Sequence, residues 1–249
     1  MLDLAETAGL DTGDLALPVA THPRPLDGAV IVFDLDGTLI DTAPDLIGSL
    51  NGVLAEQGLP PVALSDARHL VGQGAKAMIE RGFALAGAAL PAGKVSALFE
   101  RFIEIYLGRI AQESVMFDEL ENTLDLLTAE GAALAVCTNK RTDLSMALLD
   151  ALDLTARFVA VVGPDRAPAP KPDPRHLLTA IQAAGGEAAR ALMVGDSLSD
   201  VLAAKAAGVP VAVVSFGYTE TPARDLGADV LIDHFTELPA IARRLLARG

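Results

Sequence analysis

The chain has 249 residues, of which 51% are hydrophobic and 21% are charged, and its formal net charge is −14. This composition is typical of a globular protein, and the length suffices for one large domain or for a core domain with a smaller insertion. The acidic charge argues against nucleic-acid binding, which needs a basic stripe to displace counterions, and the single cysteine excludes a disulfide framework or a cysteine-based metal cluster.

The first 28 residues are predicted to form an irregular N-terminal arm, because Gly and Pro recur and no periodic pattern lasts. They lack the charged-then-apolar pattern of a secretion signal, and no apolar run approaches the ~20 residues of a membrane helix. We therefore expect a cytoplasmic protein that binds neither membranes nor nucleic acids. The oligomeric state, monomer or homodimer, stays open.

From Ala29 onward, continuous apolar runs rich in Val alternate with stretches of helical periodicity. The apolar runs cover residues 29–34, 133–139, 158–163, 191–196, 210–216 and 229–233. The helical stretches cover about 119–129, 143–152, 174–185, 199–207 and 237–247. Apolar runs without polar alternation are typical of strands buried on both faces. The pattern predicts an α/β fold with a doubly wound, mostly parallel, Rossmann-like sheet.

The alternation breaks after the first strand, where apolar residues recur only at helical spacing until about residue 117. Asp41 or Thr42 is expected to cap the first of these helices, with Pro44 in its opening turn. No strand is predicted in this interval. The sequence therefore predicts three parts. They are an N-terminal arm (1–28), an all-helical insertion (43–117), and an α/β core made of residues 29–42 and 118–249.

Polar side chains gather at the carboxyl ends of the predicted strands, where open parallel sheets bind ligands. They are Asp34 and Asp36 after the first strand, Thr138 and Asn139 after the second, Asp196 and Ser197 after a later one, and Lys171 in a Pro-rich loop. Carboxylates this close together repel one another unless a cation lies between them. The sequence therefore predicts a single site at this edge that holds a cation.

These residues belong to four short stretches: "DLDGTL" (34–39), "CTN" (137–139), "KP" (171–172) and "GDSLSD" (195–200). In this order they resemble the four motifs of the haloacid dehalogenase superfamily, and the resemblance covers the chain from Ala29 onward. The helical insertion after the first motif corresponds to the C1 type of cap in that family. The resemblance implies a Mg²⁺-dependent hydrolase whose partner is a small phosphorylated substrate.

The resemblance also implies a role for each matching residue. Asp34 is expected to be the nucleophile that forms an aspartyl-phosphate, and Asp36 the acid and base for the leaving group and the attacking water. Lys171 is expected to bind the phosphate and neutralise its charge, while Thr138 and Asn139 hydrogen-bond it. The implied magnesium ligands are Asp34, Asp36 through its backbone carbonyl, Asp196, and Asp200 directly or in a second layer.

Some of these residues have simpler interpretations. Asp36 fits an ordinary turn, and Asp200 fits the cap of the helix that follows it. Cys137 lacks the Arg six positions later that a cysteine phosphatase needs, because Asp143 stands there. A binding protein without catalysis on this fold would be expected to lack at least one motif residue. None is missing, so an enzyme is favoured.

The stretch "RHLVGQGAKAMIERG" (68–82) is similar to the cap segment of bacterial phosphoglycolate phosphatases. Gly72 and Gly74 are expected to present backbone N–H groups to a small carboxylate, with Lys76 or Arg68 adding charge. A helix start that happens to contain Gly is the simpler alternative. The resemblance implies hydrolysis of 2-phosphoglycolate to glycolate and phosphate; another small-molecule phosphatase, a pyrophosphatase or a sugar-phosphate mutase of the superfamily is the alternative.

Overall fold

The computed structural model describes residues 24–72 and 74–247. Strands in this part of the chain are β1 (Val30–Phe33), β2 (Ile40–Asp41), β3 (Val115–Met116), β4 (Ala133–Cys137), β5 (Ala160–Val162), β6 (Ala191–Gly195), β7 (Val211–Val214) and β8 (Val230–Ile232). Six of them form a parallel sheet in the order β5-β4-β1-β6-β7-β8. Each of these six lies inside a predicted apolar run, so the predicted α/β fold is confirmed.

Strand β1 lies in the middle of the sheet between β4 and β6, and all of its residues are buried. Val30 pairs with Ala133 on one side and with Ala191 on the other. Because the three strands are parallel and start in register, their carboxyl ends meet at one edge of the sheet. The residues that follow β1, β4 and β6 are therefore neighbours in space.

Helices cover both faces of the sheet, which explains why its strands are apolar throughout. The helices are α1 (Ala43–Glu56), α2 (Leu64–Ala67), α3 (Ala75–Leu85), α4 (Val95–Leu107), α5 (Leu120–Ala129), α6 (Thr142–Ala151), α7 (Pro174–Ala183), α8 (Leu198–Ala207) and α9 (Leu238–Leu245). Ile31 and Phe33 belong to a buried cluster with residues of α5, α6 and α9. Val30 and Val32 belong to another, with residues of α7 and α8.

Helices α7 and α8 begin at residues that satisfy their exposed backbone donors. The Asp173 carboxylate accepts a hydrogen bond from the Arg175 backbone N–H (2.9 Å), and Pro174 occupies the first turn. Ser197 and Asp200 form a capping box at the start of α8. The simpler interpretation of Asp200, as a helix cap, is therefore confirmed.

Helices α1 to α4 form a helical insertion between β2 and β3, with a hydrophobic cluster of their own. The largest buried side chains of this cluster include Leu50, Phe83, Phe102 and Tyr106. At its base, Ile40–Asp41 pairs antiparallel with Val115–Met116. The prediction that this interval has no strand is therefore wrong for β3. Two residues are too few to produce the alternation by which a strand is recognised.

The expected side-chain cap of α1 is wrong. Thr42 occupies the N-cap position, but its hydroxyl is buried without a hydrogen-bond partner among the described residues. Asp41 instead forms an ion pair with Arg68 of the insertion (Nη2–Oδ2, 2.9 Å) and accepts a hydrogen bond from the Tyr218 hydroxyl. Both partners are distant in sequence, so a local pattern typical of a cap concealed a long-range contact.

Most of the predicted N-terminal arm, residues 1–23, lies outside the described residues. The segment that follows forms a turn in which the Asp27 carboxylate accepts hydrogen bonds from the backbone N–H and Nε of Arg24, both at 2.9 Å. Leu26 inside this turn is fully buried in the core. Among residues 24–72 and 74–247, no helix combines the length and the apolar character that crossing a bilayer requires.

Asp45 joins the two chain segments that connect the helical insertion to the sheet. It lies in the first turn of α1 and is fully buried. Its Oδ2 accepts hydrogen bonds from the backbone N–H of Glu113 (3.0 Å) and from the backbone N–H and hydroxyl of Ser114 (2.8 and 2.7 Å). Arg109 Nε donates to Oδ1 at 3.2 Å. Burial raises the pKa of Asp45, but these hydrogen bonds outweigh it and leave the pKa lowered.

We predict that Asp45→Asn lowers the free energy of unfolding by about 2 kcal/mol, because buried donors then lose a charged acceptor. Since the folded-state pKa of Asp45 lies below its unfolded value, the stabilising contribution is complete above the unfolded pKa. It is lost as the pH falls through the folded pKa. Urea unfolding from pH 7 downward should therefore show the difference between the two proteins shrinking in acid.

A matched control is Asp125→Asn, which removes an exposed ion pair with Arg157. This change should alter the unfolding free energy by less than about 0.5 kcal/mol. Equal losses in the two variants, or an Asp45→Asn loss that does not change with pH, would contradict the role assigned to Asp45.

Candidate active site

The carboxyl ends of β1, β4 and β6 bring the motif residues together. Asp34 follows β1 directly, Thr138 follows β4, and Asp196 follows β6, and all three are buried. The backbone N–H of Asp34 donates to Val194 O on the neighbouring strand at 2.9 Å. The main chain of the sheet therefore fixes where the Asp34 side chain begins, before any side-chain contact is made.

The Asp34 carboxylate is held by one backbone donor and one cation. Its Oδ1 accepts a hydrogen bond from the Leu35 backbone N–H (2.7 Å) and forms an ion pair with Lys171 Nζ (3.0 Å). The net pKa of Asp34 is raised to about 6. Burial raises this pKa more than Lys171 lowers it, and the nearby Asp200 raises it further. Both contacts are made to Oδ1. They fix the rotamer of the side chain and leave Oδ2 outside these two contacts.

Lys171 is a buried cation that binds two acids. Besides Asp34, its Nζ contacts Asp200 Oδ1 (2.6 Å) and donates to the backbone carbonyl of Cys137 (2.7 Å). Burial lowers the pKa of Lys171, but Asp200 and Asp34 outweigh it and leave the pKa raised. The ammonium is therefore charged at neutral pH and offsets the carboxylates that surround it.

The Asn139 side chain holds the loop that carries Lys171. Its Oδ1 accepts from the Lys171 backbone N–H (2.9 Å), and its Nδ2 donates to the Lys171 carbonyl (3.1 Å). His176 Nδ1 lies 3.1 Å from the same N–H. The amide of Asn139 is therefore used to position the lysine loop, which leaves the backbone near Asn139 for the phosphate contact expected from the sequence.

Asp196 and Asp200 complete an acidic cluster next to Asp34. Asp196 Oδ1 accepts from the Thr38 hydroxyl (3.2 Å), and its Oδ2 accepts from the Tyr218 backbone N–H (2.7 Å). Asp200 Oδ2 accepts from the Ser197 backbone N–H (3.0 Å) and hydroxyl (2.6 Å). Asp200 thus has both oxygens engaged, one by Lys171 and one by the capping box.

These acids bring together oxygen donors that could hold a divalent cation. One carboxylate oxygen from each of Asp34, Asp196 and Asp200 lies within 4.8 Å of the others. Burial, followed by the repulsion of Asp34 and Asp200, raises the pKa of Asp196 well above its usual value. A bound cation would reverse this shift, because it favours the ionised carboxylates. Buried oxygen donors without sulfur or nitrogen suit Mg²⁺.

Gly37 leaves the space in which this cluster packs. It has a φ of +83°, and a Cβ at this position would lie 2.5 Å from Asp196 Oδ2 and 2.7 Å from Tyr218 Cδ2. The left-handed turn after Asp36 therefore needs glycine for its conformation and also for its lack of a side chain. The first reason is local to the turn, whereas the second depends on residues far along the chain.

Lys140 is a residue of the site that the sequence interpretation did not select. Its Nζ forms an ion pair with Asp36 Oδ1 at 2.7 Å, and its side chain is only 6% exposed. Nζ also lies 4.7 Å from the ring centroid of Tyr106, which belongs to α4 of the insertion. Its backbone N–H donates to the Thr138 hydroxyl (3.1 Å). The available signals were its place directly after the "CTN" motif and the similarity of the stretch "NKRTD" (139–143) to bacterial phosphoglycolate phosphatases.

A cavity of about 110 Å³ lies between the helical insertion and this edge of the sheet. Residues that line it include Asp34, Asp36, Gly72, Gly74, Tyr106, Thr138, Asn139 and Lys140. Gly72 and Gly74 both have a φ of +90°. The other residues expected from the insertion are directed elsewhere: Lys76 is exposed with its Nζ 5.4 Å from the Phe99 ring centroid, and Arg68 binds Asp41.

Cys137 is enclosed rather than reactive. Its side chain is fully buried, and burial raises the pKa of its thiol to about 12. A thiol with this pKa carries almost no thiolate at neutral pH, and the thiolate is the nucleophilic form. The interpretation of Cys137 as a small buried strand residue therefore agrees with its surroundings.

Comparison with known proteins assigns the family. The sequence model of the haloacid dehalogenase-like hydrolase family matches residues 31–214. The chain is 55% identical over 221 residues to a phosphoglycolate phosphatase from Caulobacter vibrioides, which covers 89% of this chain and 93% of that protein. It is 48% identical over 227 residues to a phosphoglycolate phosphatase from Agrobacterium fabrum, covering 91% and 97%.

A solved structure agrees with these sequence relatives. The crystal structure of a predicted phosphoglycolate phosphatase from Haemophilus somnus matches with a TM-score of 0.80 at 28% identity, covering 86% of this chain and 97% of that one. The chain therefore belongs to the haloacid dehalogenase-like hydrolase family, and it is a hydrolase similar to bacterial phosphoglycolate phosphatases.

Proposed function

We propose that this enzyme hydrolyses a small phosphomonoester through an aspartyl-phosphate on Asp34, and that its substrate is 2-phosphoglycolate. The observation that carries the proposal is the pairing of the buried Asp34 with Lys171 (3.0 Å) beside Asp196, at a small cavity that Asp34 and Asp36 line. A nucleophile, a fixed cation and an acid–base group are the parts that phosphoryl transfer requires.

In the first half-reaction, an oxygen of Asp34 forms a bond to phosphorus while the bond to the leaving oxygen breaks. Because Oδ1 already accepts from Leu35 and Lys171, we assign the attack to Oδ2. Asp36 donates its proton to the departing alkoxide. Lys171 offsets the negative charge that the phosphoryl oxygens and Asp34 bring together.

In the second half-reaction, water attacks the phosphorus of the aspartyl-phosphate and the bond to Asp34 breaks, which releases phosphate. Asp36 now takes the proton of this water, so it returns to its starting state. Thr138, buried at the end of β4, and the backbone near Asn139 are assigned to hydrogen bonds with the phosphate. The helical insertion beside the cavity would limit the access of other water to the intermediate.

The cofactor that fits the acidic cluster is Mg²⁺, held by the carboxylates of Asp34 and Asp196 and by the backbone carbonyl of Asp36. Asp200 is assigned to an orienting role, because the Lys171 ammonium binds one of its oxygens and Ser197 the other, whereas the hydrogen bonds to Asp196 come from neutral donors. When bound, the ion supplies positive charge to the phosphoryl oxygens and relieves the repulsion among the acids.

The size of the cavity and the relatives support a two-carbon substrate. A volume of about 110 Å³ is small beside the several hundred Å³ of sites for larger ligands. We interpret residues 43–117 as a cap that covers this cavity, with Gly72 and Gly74 in its wall. Proteins named phosphoglycolate phosphatase are about half identical to this chain. Both facts favour 2-phosphoglycolate over a hexose phosphate or a nucleotide.

The proposed substrate predicts a preference that a panel of phosphoesters will measure. With Mg²⁺ present, kcat/KM for 2-phosphoglycolate should exceed that for β-glucose 1-phosphate, pyrophosphate and a nucleoside monophosphate by at least about tenfold. Chelation of the metal should remove activity, and added Mg²⁺ should restore it. A different preferred ester would keep the chemistry and reject the substrate.

Replacing the proposed nucleophile should stop turnover without unfolding the protein. We expect Asp34→Asn to lower kcat by more than about a thousandfold, because an amide oxygen is a poor nucleophile toward phosphorus. Steady-state phosphate release and circular dichroism test this. A folded Asp34→Asn variant with near-normal turnover would remove Asp34 from the mechanism.

Replacing the proposed acid and base should slow both half-reactions. We expect Asp36→Asn to lower kcat by about 100- to 10,000-fold, which is the usual contribution of a positioned acid–base group. Rapid-quench measurements separate formation of the aspartyl-phosphate from its hydrolysis. Asp125→Asn, an exposed change at a residue that does not line the cavity, serves as the control. A loss of only a few-fold, or in one step alone, would contradict the assignment.

A further inference from the structure

Lys140 is a buried cation to which the proposed mechanism gives no task. It is the second residue after Thr138, its side chain is only 6% exposed, and it lines the same cavity as Asp34. Its ammonium has three N–H donors, and the hydrogen bond to Asp36 Oδ1 (2.7 Å) uses one of them. Donors therefore remain for an acceptor that enters the cavity.

Tyr106 lines the cavity from the side of the insertion. The residue is fully buried in α4, and its ring stacks on Phe102 at a centroid distance of 6.3 Å and an angle of 15°. The hydroxyl makes no hydrogen bond of regular geometry among the described residues, and the Lys140 ammonium is the charged group that acts on it most strongly. A buried hydroxyl in this state is rare in folded proteins, so it can serve an acceptor that enters beside Lys140.

The other cations near the cavity are already engaged or exposed. Lys171 binds Asp34 and Asp200, and Arg68 binds Asp41. Arg141 pairs with Asp143 and is about half exposed. Of the basic side chains that line the cavity in the described part of the chain, Lys140 is the buried one.

The position of Lys140 beside Asp36 defines what it can bind. In 2-phosphoglycolate the carboxylate carbon is two bonds from the leaving oxygen. Asp36 must contact that leaving oxygen to protonate it. Because Lys140 is hydrogen-bonded to Asp36, its ammonium would then lie next to the carboxylate of the substrate. Lys140 could serve both groups, because the leaving oxygen and the carboxylate approach from the same side.

We propose that Lys140 and Tyr106 together form the receptor for the carboxylate of the substrate, the lysine as a charged donor and the tyrosine as a hydroxyl donor. This inference rests on the proposed phosphatase function and its substrate. Lys140 comes from the loop after β4 and Tyr106 from the insertion. The receptor is therefore complete only when the insertion lies against the sheet, and a substrate without a carboxylate would lack both contacts.

The experiment compares two substrates that differ only in this group, 2-phosphoglycolate and ethyl phosphate, whose methyl group replaces the carboxylate. Because Lys140 also contacts Asp36, Lys140→Met will slow both reactions, so the ratio of the two kcat/KM values is the informative quantity. We expect this ratio to fall about 100-fold in Lys140→Met, since a charged partner is lost. It should fall about tenfold in Tyr106→Phe, which removes only the hydroxyl.

Lys94→Met is the matched control, because Lys94 is exposed at the start of α4 and does not line the cavity. Lys94→Met should leave the ratio unchanged. Lys140→Arg should give a ratio between those of the wild type and Lys140→Met. If both Lys140→Met and Tyr106→Phe keep the wild-type ratio, the receptor is disproved. If the wild type itself does not prefer 2-phosphoglycolate to ethyl phosphate, the proposed substrate is wrong. If Lys140→Met does not fold, Tyr106→Phe decides the test.

Discussion

The structure depends on the burial of like charges at the end of its central strand. Asp34, Asp196 and Asp200 lie within 4.8 Å of one another through their carboxylate oxygens, out of contact with bulk water. Such a cluster is unfavourable unless cations compensate it. Lys171 supplies one charge, bridging Asp34 and Asp200. The remaining negative charge is what the proposed divalent cation would offset.

The rest of the fold can be understood as the support of this cluster. The parallel register of β1 with its two neighbours brings the acids to one edge, and the capping box of α8 fixes Asp200. Asn139 and His176 hold the loop of Lys171. Tyr218 links Asp196, through its backbone N–H, to Asp41 at the base of the insertion. Few of these groups are free to relax when a ligand binds, which is the condition for effective electrostatic catalysis.

Much of the fold and part of the site could be predicted from the sequence, because local patterns carry them. Buried strands leave apolar runs, and the motif acids stand directly after those runs. Lys140 and Tyr218 could not be found in this way, since their importance lies in partners 104 and 177 residues away, Asp36 and Asp41. The expectation that Asp41 caps a helix fails for the same reason. Its position just before α1 is typical of a cap, but its partners, Arg68 and Tyr218, are distant in sequence.

The hydrogen bonds of Asp45 have a mechanical consequence. They tie the start of α1 to residues 113 and 114, so both chain crossings into the insertion converge on one buried carboxylate. Two connections joined at a point allow the insertion to swivel but resist translation along the sheet, because sliding would separate the joined segments. Any swivel has its axis near this carboxylate, and displacement grows with distance from it.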